Sequence, residues 1–426
     1  RPDLVKLKLA GKDISKYTNG LTYEDALKNP PPKIKLTTID NKKVVNSGFS
    51  NEDVTLKKDK TILKFNVAEH DNGGIGLIRI YQEGKLIKTI GEGKVNKQAA
   101  NVDTLLEQDN INTKMKLAQN DYLNKMSDTV TRSIDTPISE EDSVGVVETS
   151  SVQNKEGNYE IELDLISGKN EIAIEAFNKT NTVTSYKETI TINSKADKKE
   201  PKLYAIVAGV NKFQASFVSD LKYSQNDAKA IKEAILKEQG NKYKNIEMKY
   251  HVGKDVTKDK LIKSIQEVSK KARLEDTVIF YISTHGKAYK GKLLLVPQNN
   301  QNIKDWINFE DIFKNMQEVK ALKQIFVLDT CESGKANDIV SSVYDSKASV
   351  LAKSSGVHML LATTKGTFAF EHPDPKVKNG VFTHKILQAL KDNKIDKNKD
   401  KFISIIELSD KLKEPSNNAD YQYPII

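Results

Sequence analysis

The spacing of apolar residues changes once along this chain, and that change divides it. From Lys33 to about Asn193, apolar residues recur at every second position in short runs. These are Ile34-Leu36, Thr61–Val67, Gly76–Tyr81, Leu86-Ile87, Tyr159–Leu163, Glu171–Phe177 and Thr189–Ile192. Turn-forming stretches such as Asp71-Asn72-Gly73-Gly74 and Gly168-Lys169-Asn170 separate them. Lys195 to Lys202 is charged, holds one proline and has almost nothing to bury. Beyond it, near-continuous apolar runs alternate with amphipathic stretches of helical spacing. Alternation suits antiparallel strands with one solvated face, whereas continuous apolar strands need a parallel sheet covered on both faces. A chain of 426 residues that carries both patterns folds as more than one domain.

The expected organisation follows. Residues 1–32 form a short helical segment, around Leu4, Leu7 and Leu9 and then Tyr23 to Leu27, that ends at the linker Pro30-Pro31-Pro32. Residues 33–195 form an all-β sandwich that resembles the immunoglobulin or fibronectin type. A polar, partly helical and partly disordered insertion at about 96–155 interrupts it. Residues 203–426 form an α/β domain. Its expected strands are Leu203–Val210, Ile246–Val252, Val278–Thr284, Ile325–Asp329 and Val357–Thr364. Its helices are expected at about 224–238, 258–272, 309–319 and 382–390.

No apolar run approaches the ~20 residues that span a bilayer. The chain opens on Arg1 rather than methionine, so a matured or excised piece is expected, with a further module upstream. A single cysteine excludes an intrachain disulfide and leaves the compartment open between cytoplasm and periplasm. The net charge of +9 comes mostly from scattered lysines, without clustered arginines or interleaved aromatics. That is a solvated surface rather than a nucleic-acid reader.

Two of the continuous runs end in reactive groups. Val278–Thr284 leads into His285-Gly286, and Ile325–Thr330 leads into Cys331, the chain's one cysteine. Parallel strands that finish side by side would place imidazole and thiol at one sheet edge, where open α/β sheets bind their ligands. A thiol attacks only as thiolate, and the imidazole is the base that makes it. Backbone N–H groups at Gly286 and Cys331 are the candidate donors for an oxyanion, and Gly286 lets substrate approach closely. The competing readings are a small buried hydrophobe for Cys331 and a carbonyl-bonded strand-end histidine for His285.

Several ordered blocks together identify the region with a family. They are Leu203–Val210, Leu221–Ala228, Tyr281–Gly286 and Leu328–Gly334, followed by Ala362–Thr367 and Gly380–His384. They resemble the caspase and metacaspase cysteine peptidases, and the spacing of 331 − 285 = 46 residues is close to the caspase spacing of about 50. The resemblance implies a bacterial caspase-like endopeptidase that acts on protein or peptide substrates. Asp329, two positions before the cysteine, and Asp227 beside Asn226 match metacaspases rather than the aspartate-cutting animal enzymes. With Ser224 they imply a pocket for Arg or Lys. The bland alternatives are a helix cap for Asp227 and a strand-end turn for Asp329. Preference for aspartate and a non-catalytic scaffold remain rival readings.

No cofactor is required by this chemistry, and calcium is an open question. Asp396, Asn398, Asp400, Ser404 and Glu407 occupy the first, third, fifth, ninth and twelfth places of an EF-hand loop, but Lys401 replaces the turn glycine. A structural turn capped by Ser404 competes with that reading. Asp338 with Glu310 or Asp311 is a second calcium candidate that the resemblance suggests. Self-cleavage at Lys335, Lys347 or Lys353 would match the basic preference.

Overall fold

The computed structural model describes residues 27–47, 50–51, 53–91, 155–181, 183–238, 241–289, 292–330, 357–362 and 369–413. Expectations for the first helical segment, the insertion, Asp338, the three candidate cleavage lysines and Cys331 itself lie outside them. Chain contacts divide the fold into two compact units, with the break in the charged stretch between Lys199 and Glu200. No helix among the described residues is long and apolar enough to cross a membrane.

The first unit is β-rich. One sheet orders Lys42–Lys43, Lys33–Ile39, Lys60–Ala68 and Gly157–Asp164, all antiparallel. The other orders Val54–Leu56, Glu188–Ser194, Gly168–Ala176, Ile78–Gln82 and Lys85–Ile90. Every expected alternating run is a strand here. The departure is Val54–Leu56, which pairs parallel to Glu188–Ser194. Alternate residues of both sheets, among them Leu63, Phe65, Ile161, Ile172 and Ile190, meet in one buried core. The two-residue loop Glu83-Gly84 has φ of 49° and 79°, the left-handed pair that tight hairpins of type I′ require.

The second unit is α/β, with elements labelled here in chain order. Strands are β1 (Leu203–Gly209), β2 (Ile246–Val252), β3 (Thr277–Ser283), β4 (Gly286–Tyr289), β5 (Lys292–Leu295), β6 (Ile307–Asn308), β7 (Lys323–Asp329) and β8 (His358–Leu361). Helices are α1 (Ser224–Lys237), α2 (Lys258–Ser269), α3 (Phe309–Gln317), α4 (Val381–Ala389) and α5 (Ile405–Lys413). A five-stranded sheet in the order β2-β1-β3-β7-β8 is parallel throughout. A small antiparallel sheet, β4-β5-β6, follows the end of β3. The sequence reading missed this sheet, because strands of two to four residues are too short to carry a clear period.

Pleating sorts the central strands onto two faces. Tyr204, Ile206, Ala208, Phe280, Ile282, Phe326 and Leu328 join the core under α2 and α3. Ala205, Val207, Tyr281 and Val327 join the opposite core under α1 and α4. Each strand is therefore apolar on both sides, as its continuous run requires. Helix α1 buries Ser224, Asp227, Ala228 and Ile231, one stripe at helical spacing. It lies close on β1 because Gly209 has no side chain: a Cβ there would stand 2.5 Å from the Ser224 carbonyl oxygen and 2.9 Å from the Ala228 Cβ. Gly209→Ala is therefore expected to cost about 1–3 kcal/mol by pushing α1 off the sheet. Urea denaturation of the variant against the parent measures it.

Candidate active site

The two strands that carry the candidate chemistry end level. β3 and β7 are adjacent and parallel, and their last pair in register is Ser283 with Asp329. Two residues further along each chain stand His285 and Cys331. The turn after β3 is fixed by its backbone. Val210 donates its N–H to the Ser283 carbonyl at 3.0 Å, Thr284 Oγ1 donates to the Val296 carbonyl at 2.7 Å, and Val296 N–H donates to the His285 carbonyl at 3.0 Å.

His285 is fully buried. Its Nε2 lies 2.8 Å from the carbonyl oxygen of Ser219. A carbonyl only accepts, so Nε2 carries the hydrogen and the neutral ring has its basic lone pair on Nδ1. The ring also packs on Phe213, with centroids 4.9 Å apart. Ser219 and Phe213 belong to the loop between β1 and α1, which is closed by Leu221 N–H on the Asn211 carbonyl at 2.8 Å. Within that loop, Asp220 accepts from Lys212 Nζ at 2.7 Å and from the Phe213 N–H at 3.1 Å. The Lys212 ammonium holds the Asp220 carboxyl below its usual range, and the Phe213 N–H adds to this. The Ser219 carbonyl was invisible to sequence reading, because a backbone acceptor has no residue signature.

The pocket candidates share this edge. Asp227, in the first turn of α1, is fully buried. It accepts from Asn379 Nδ2 and the Gly380 N–H, each at 2.9 Å, and from Ser283 Oγ at 3.3 Å. Asp329 is 1 % exposed and accepts from Thr383 Oγ1 at 2.6 Å and from Tyr281 OH at 3.4 Å. Tyr281 OH and Thr383 Oγ1 are 2.6 Å apart. Asp227 thus bonds the residue that pairs with Asp329 across the ladder, and the two carboxylates flank Ser283. Asp227 does not cap α1: the cap residue is Tyr223, and its side chain makes no capping bond.

Glu371 is a third acid that the sequence reading did not find. It is 4 % exposed, and its Oε1 accepts the Lys222 and Tyr223 N–H groups at 2.7 and 2.9 Å, at the start of α1. Its Oε2 and the buried Ser224 Oγ have no hydrogen-bond partner among the described residues. Buried polar atoms left in that state are rare in folded proteins and mark where a ligand can add a bond. Glu371 bridges to Gly380, the residue whose N–H binds Asp227. Gly286, the proposed oxyanion donor, opens β4 opposite Leu295.

The EF-hand-like loop stands apart from this edge in its bonding. Glu407 accepts the Ser404 N–H at 2.9 Å and the Ser404 hydroxyl at 2.8 Å, and Ser404 Oγ accepts the Glu407 N–H at 3.2 Å, a reciprocal cap on α5. Its other oxygen accepts the Lys397 N–H at 2.9 Å. Asp396 accepts N–H groups of Asp400 and Lys401, and Asp400 accepts from Phe402 N–H and Asn398 Nδ2. Lys401 takes the left-handed φ of 68° that the sixth loop position needs. No group of three or more His, Cys, Asp or Glu among the described residues is arranged to hold a metal.

The Caspase domain model, Peptidase_C14, matches residues 202–422, more than half of the chain. The chain belongs to the caspase domain family, and the parallel sheet with helices on both faces is that fold. Among solved structures it is similar to protein GSU0716 from Geobacter sulfurreducens, with 14% identity, 53% of this chain and 92% of that one covered, and a TM-score of 0.39. It is also similar to caspase-1 from Spodoptera frugiperda, with 11% identity, 53% and 88% coverage, and a TM-score of 0.35. The Drosophila initiator caspase Dronc matches at 10% identity, with 53% and 78% coverage and a TM-score of 0.32. No curated protein matches in sequence.

The Asp329 cluster yields a test of the geometry alone. Thr383→Val keeps the shape but removes the hydroxyl that donates to Asp329 and contacts Tyr281. It is expected to cost about 1–3 kcal/mol, because a buried carboxylate and phenol each lose a partner. Chemical denaturation of the purified variant reads the loss.

Proposed function

We propose that the chain is a cysteine endopeptidase that cleaves after Arg or Lys, with Cys331 as nucleophile and His285 as base, in the manner of metacaspases. The observation that carries the proposal is the donated hydrogen bond from His285 Nε2 to the Ser219 carbonyl, made at the end of the strand next to the one that leads into Cys331. It orients the ring and leaves Nδ1 to take a proton.

The chemistry runs in two halves. Nδ1 takes the thiol proton as sulfur attacks the peptide carbonyl, and the developing oxyanion is held by the N–H groups of Gly286 and Cys331. Collapse breaks the C–N bond, and the imidazolium returns the proton to the leaving amine. Water, deprotonated by the same nitrogen, then hydrolyses the thioester and regenerates the thiol. The basic side chain before the cleaved bond sits among Asp227, Asp329 and Glu371, with Ser224 Oγ adding a hydrogen bond. Three buried acids that share this edge offer an incoming cation a desolvated charge pair.

We read the β-rich region, 33–195, as an immunoglobulin-like module and 203–426 as the peptidase domain. Self-cleavage at Lys335, Lys347 or Lys353 fits the same specificity. The proton transfers above need no cofactor. Calcium at Asp396, Asn398, Asp400 and Glu407 would require Glu407 to give up its cap on α5.

A randomised peptide library, assayed with calcium and with chelator, tests activity, specificity and metal dependence together. Cleavage after Arg and Lys that is unchanged by chelator is expected. Preference for Asp would overturn the pocket assignment, and activity restored only by calcium would overturn the metal-free reading. Asp329→Asn is expected to lower kcat/KM on basic substrates roughly 100-fold, through loss of one desolvated charge pair. A Lys-directed electrophilic probe should label the parent and fail on Cys331→Ala. Absence of label on folded parent would favour a scaffold.

A further inference from the structure

The loop between β1 and α1 does more than orient His285. It carries Phe213 against the imidazole, and two residues before Ser219 it presents Phe217. Phe217 is 36% exposed, yet its ring stacks on Trp306 at 6.0 Å, and Trp306 is 3% exposed. Trp306 is fixed by its Nε1–H on the Asn300 carbonyl at 3.3 Å and packs with Ala215, Val218, Leu294 and Val296. The result is an exposed aromatic ring on a rigid base. Within the loop Lys212 pairs with Asp220 at 2.7 Å. The partly exposed ring of Phe217 adds an aromatic surface that a ligand can reach.

We infer that Phe213 and Phe217 form a subsite for the residues that follow the cleaved bond, with preference for an aromatic or large aliphatic side chain at the first or second of them. The inference rests on the peptidase reading and deepens it. A histidine that returns a proton to the leaving amine must have the leaving segment pass over it. The side chains of that segment then meet what surrounds the imidazole, and the Phe213–Phe217 loop is that surrounding. An aromatic surface held in place beforehand favours apolar residues at little ordering cost.

The test uses quenched peptides identical up to and including the basic residue, followed by Phe, Leu, Gly or Asp, together with a coumarylamide that has nothing after the bond. The parent is expected to favour Phe or Leu over Asp by roughly tenfold in kcat/KM, the usual size of apolar discrimination in a pocket. Phe217→Ala should erase that preference, lowering the ratio of the Phe peptide to the coumarylamide by about the same factor. Trp306 is the only tryptophan, so its emission reports on the surface directly. Titrating Cys331→Ala with a peptide that begins in Phe should shift that emission, and adding Phe217→Ala should abolish the shift. Equal rates on all peptides, or a preference that survives Phe217→Ala, would overturn the inference. An emission change that follows protein concentration rather than peptide would place a second copy on the surface and overturn it too. Inertness toward every substrate, the coumarylamide included, would remove the peptidase reading, and the subsite with it.

Discussion

The candidate site depends on one register. Seven consecutive pairs join β3 to β7, from Thr277 with Lys323 to Ser283 with Asp329, and the two strands leave the sheet at the same level. Parallel strands lie about 4.8 Å apart. Counted along the sequence, His285 and Cys331 each come two residues after that last pair. A slip of one residue would turn Tyr281 and Asp329 toward α2 and α3 and bring Phe280 and Leu328 out of their core. The register is thus enforced by apolar packing on both faces, remote from any chemistry.

The same pleat explains why acids collect on one side. Tyr281, Ser283, Val327 and Asp329 share a parity, and Tyr281 and Val327 face the core of α1 and α4. Helix α1 brings Asp227 to that face and α4 brings Thr383. Burial of a carboxylate is costly unless donors surround it. Asp227 and Asp329 accept from hydroxyls, a side-chain amide and a backbone N–H.

Much of the fold was legible because its signals are long. Leu203–Gly209, Ile246–Val252 and Thr277–Ser283 are runs of seven residues, and the helix that begins at Ser224 shows its stripe plainly. Elements of two to four residues, such as β5 and β6, carry too few positions for a period to register. Of the candidate residues, His285 stood out as a polar residue ending an apolar run, whereas Asp227, Asp329 and Ser224 were singled out by the resemblance to metacaspases. Glu371 did not, because it lies outside any long element and gains its place only through a bridge to Gly380. The Ser219 carbonyl and the Gly380 N–H act through backbone atoms that every residue possesses. Phe213 and Phe217 carry no sequence signal of their own, and only the fold sets them beside His285 and Trp306.

The acceptor on His285 bears on how the proposed chemistry would proceed. A carboxylate at Nε2 would favour the charged ring and, with it, a thiolate present before substrate arrives. The Ser219 carbonyl is neutral, and the ring is buried against Phe213. A neutral acceptor gives the imidazolium no such help, so on the proposed reading the proton would move during attack. A correctly seated substrate brings the carbonyl and the oxyanion donors into play together, and the barrier falls only then.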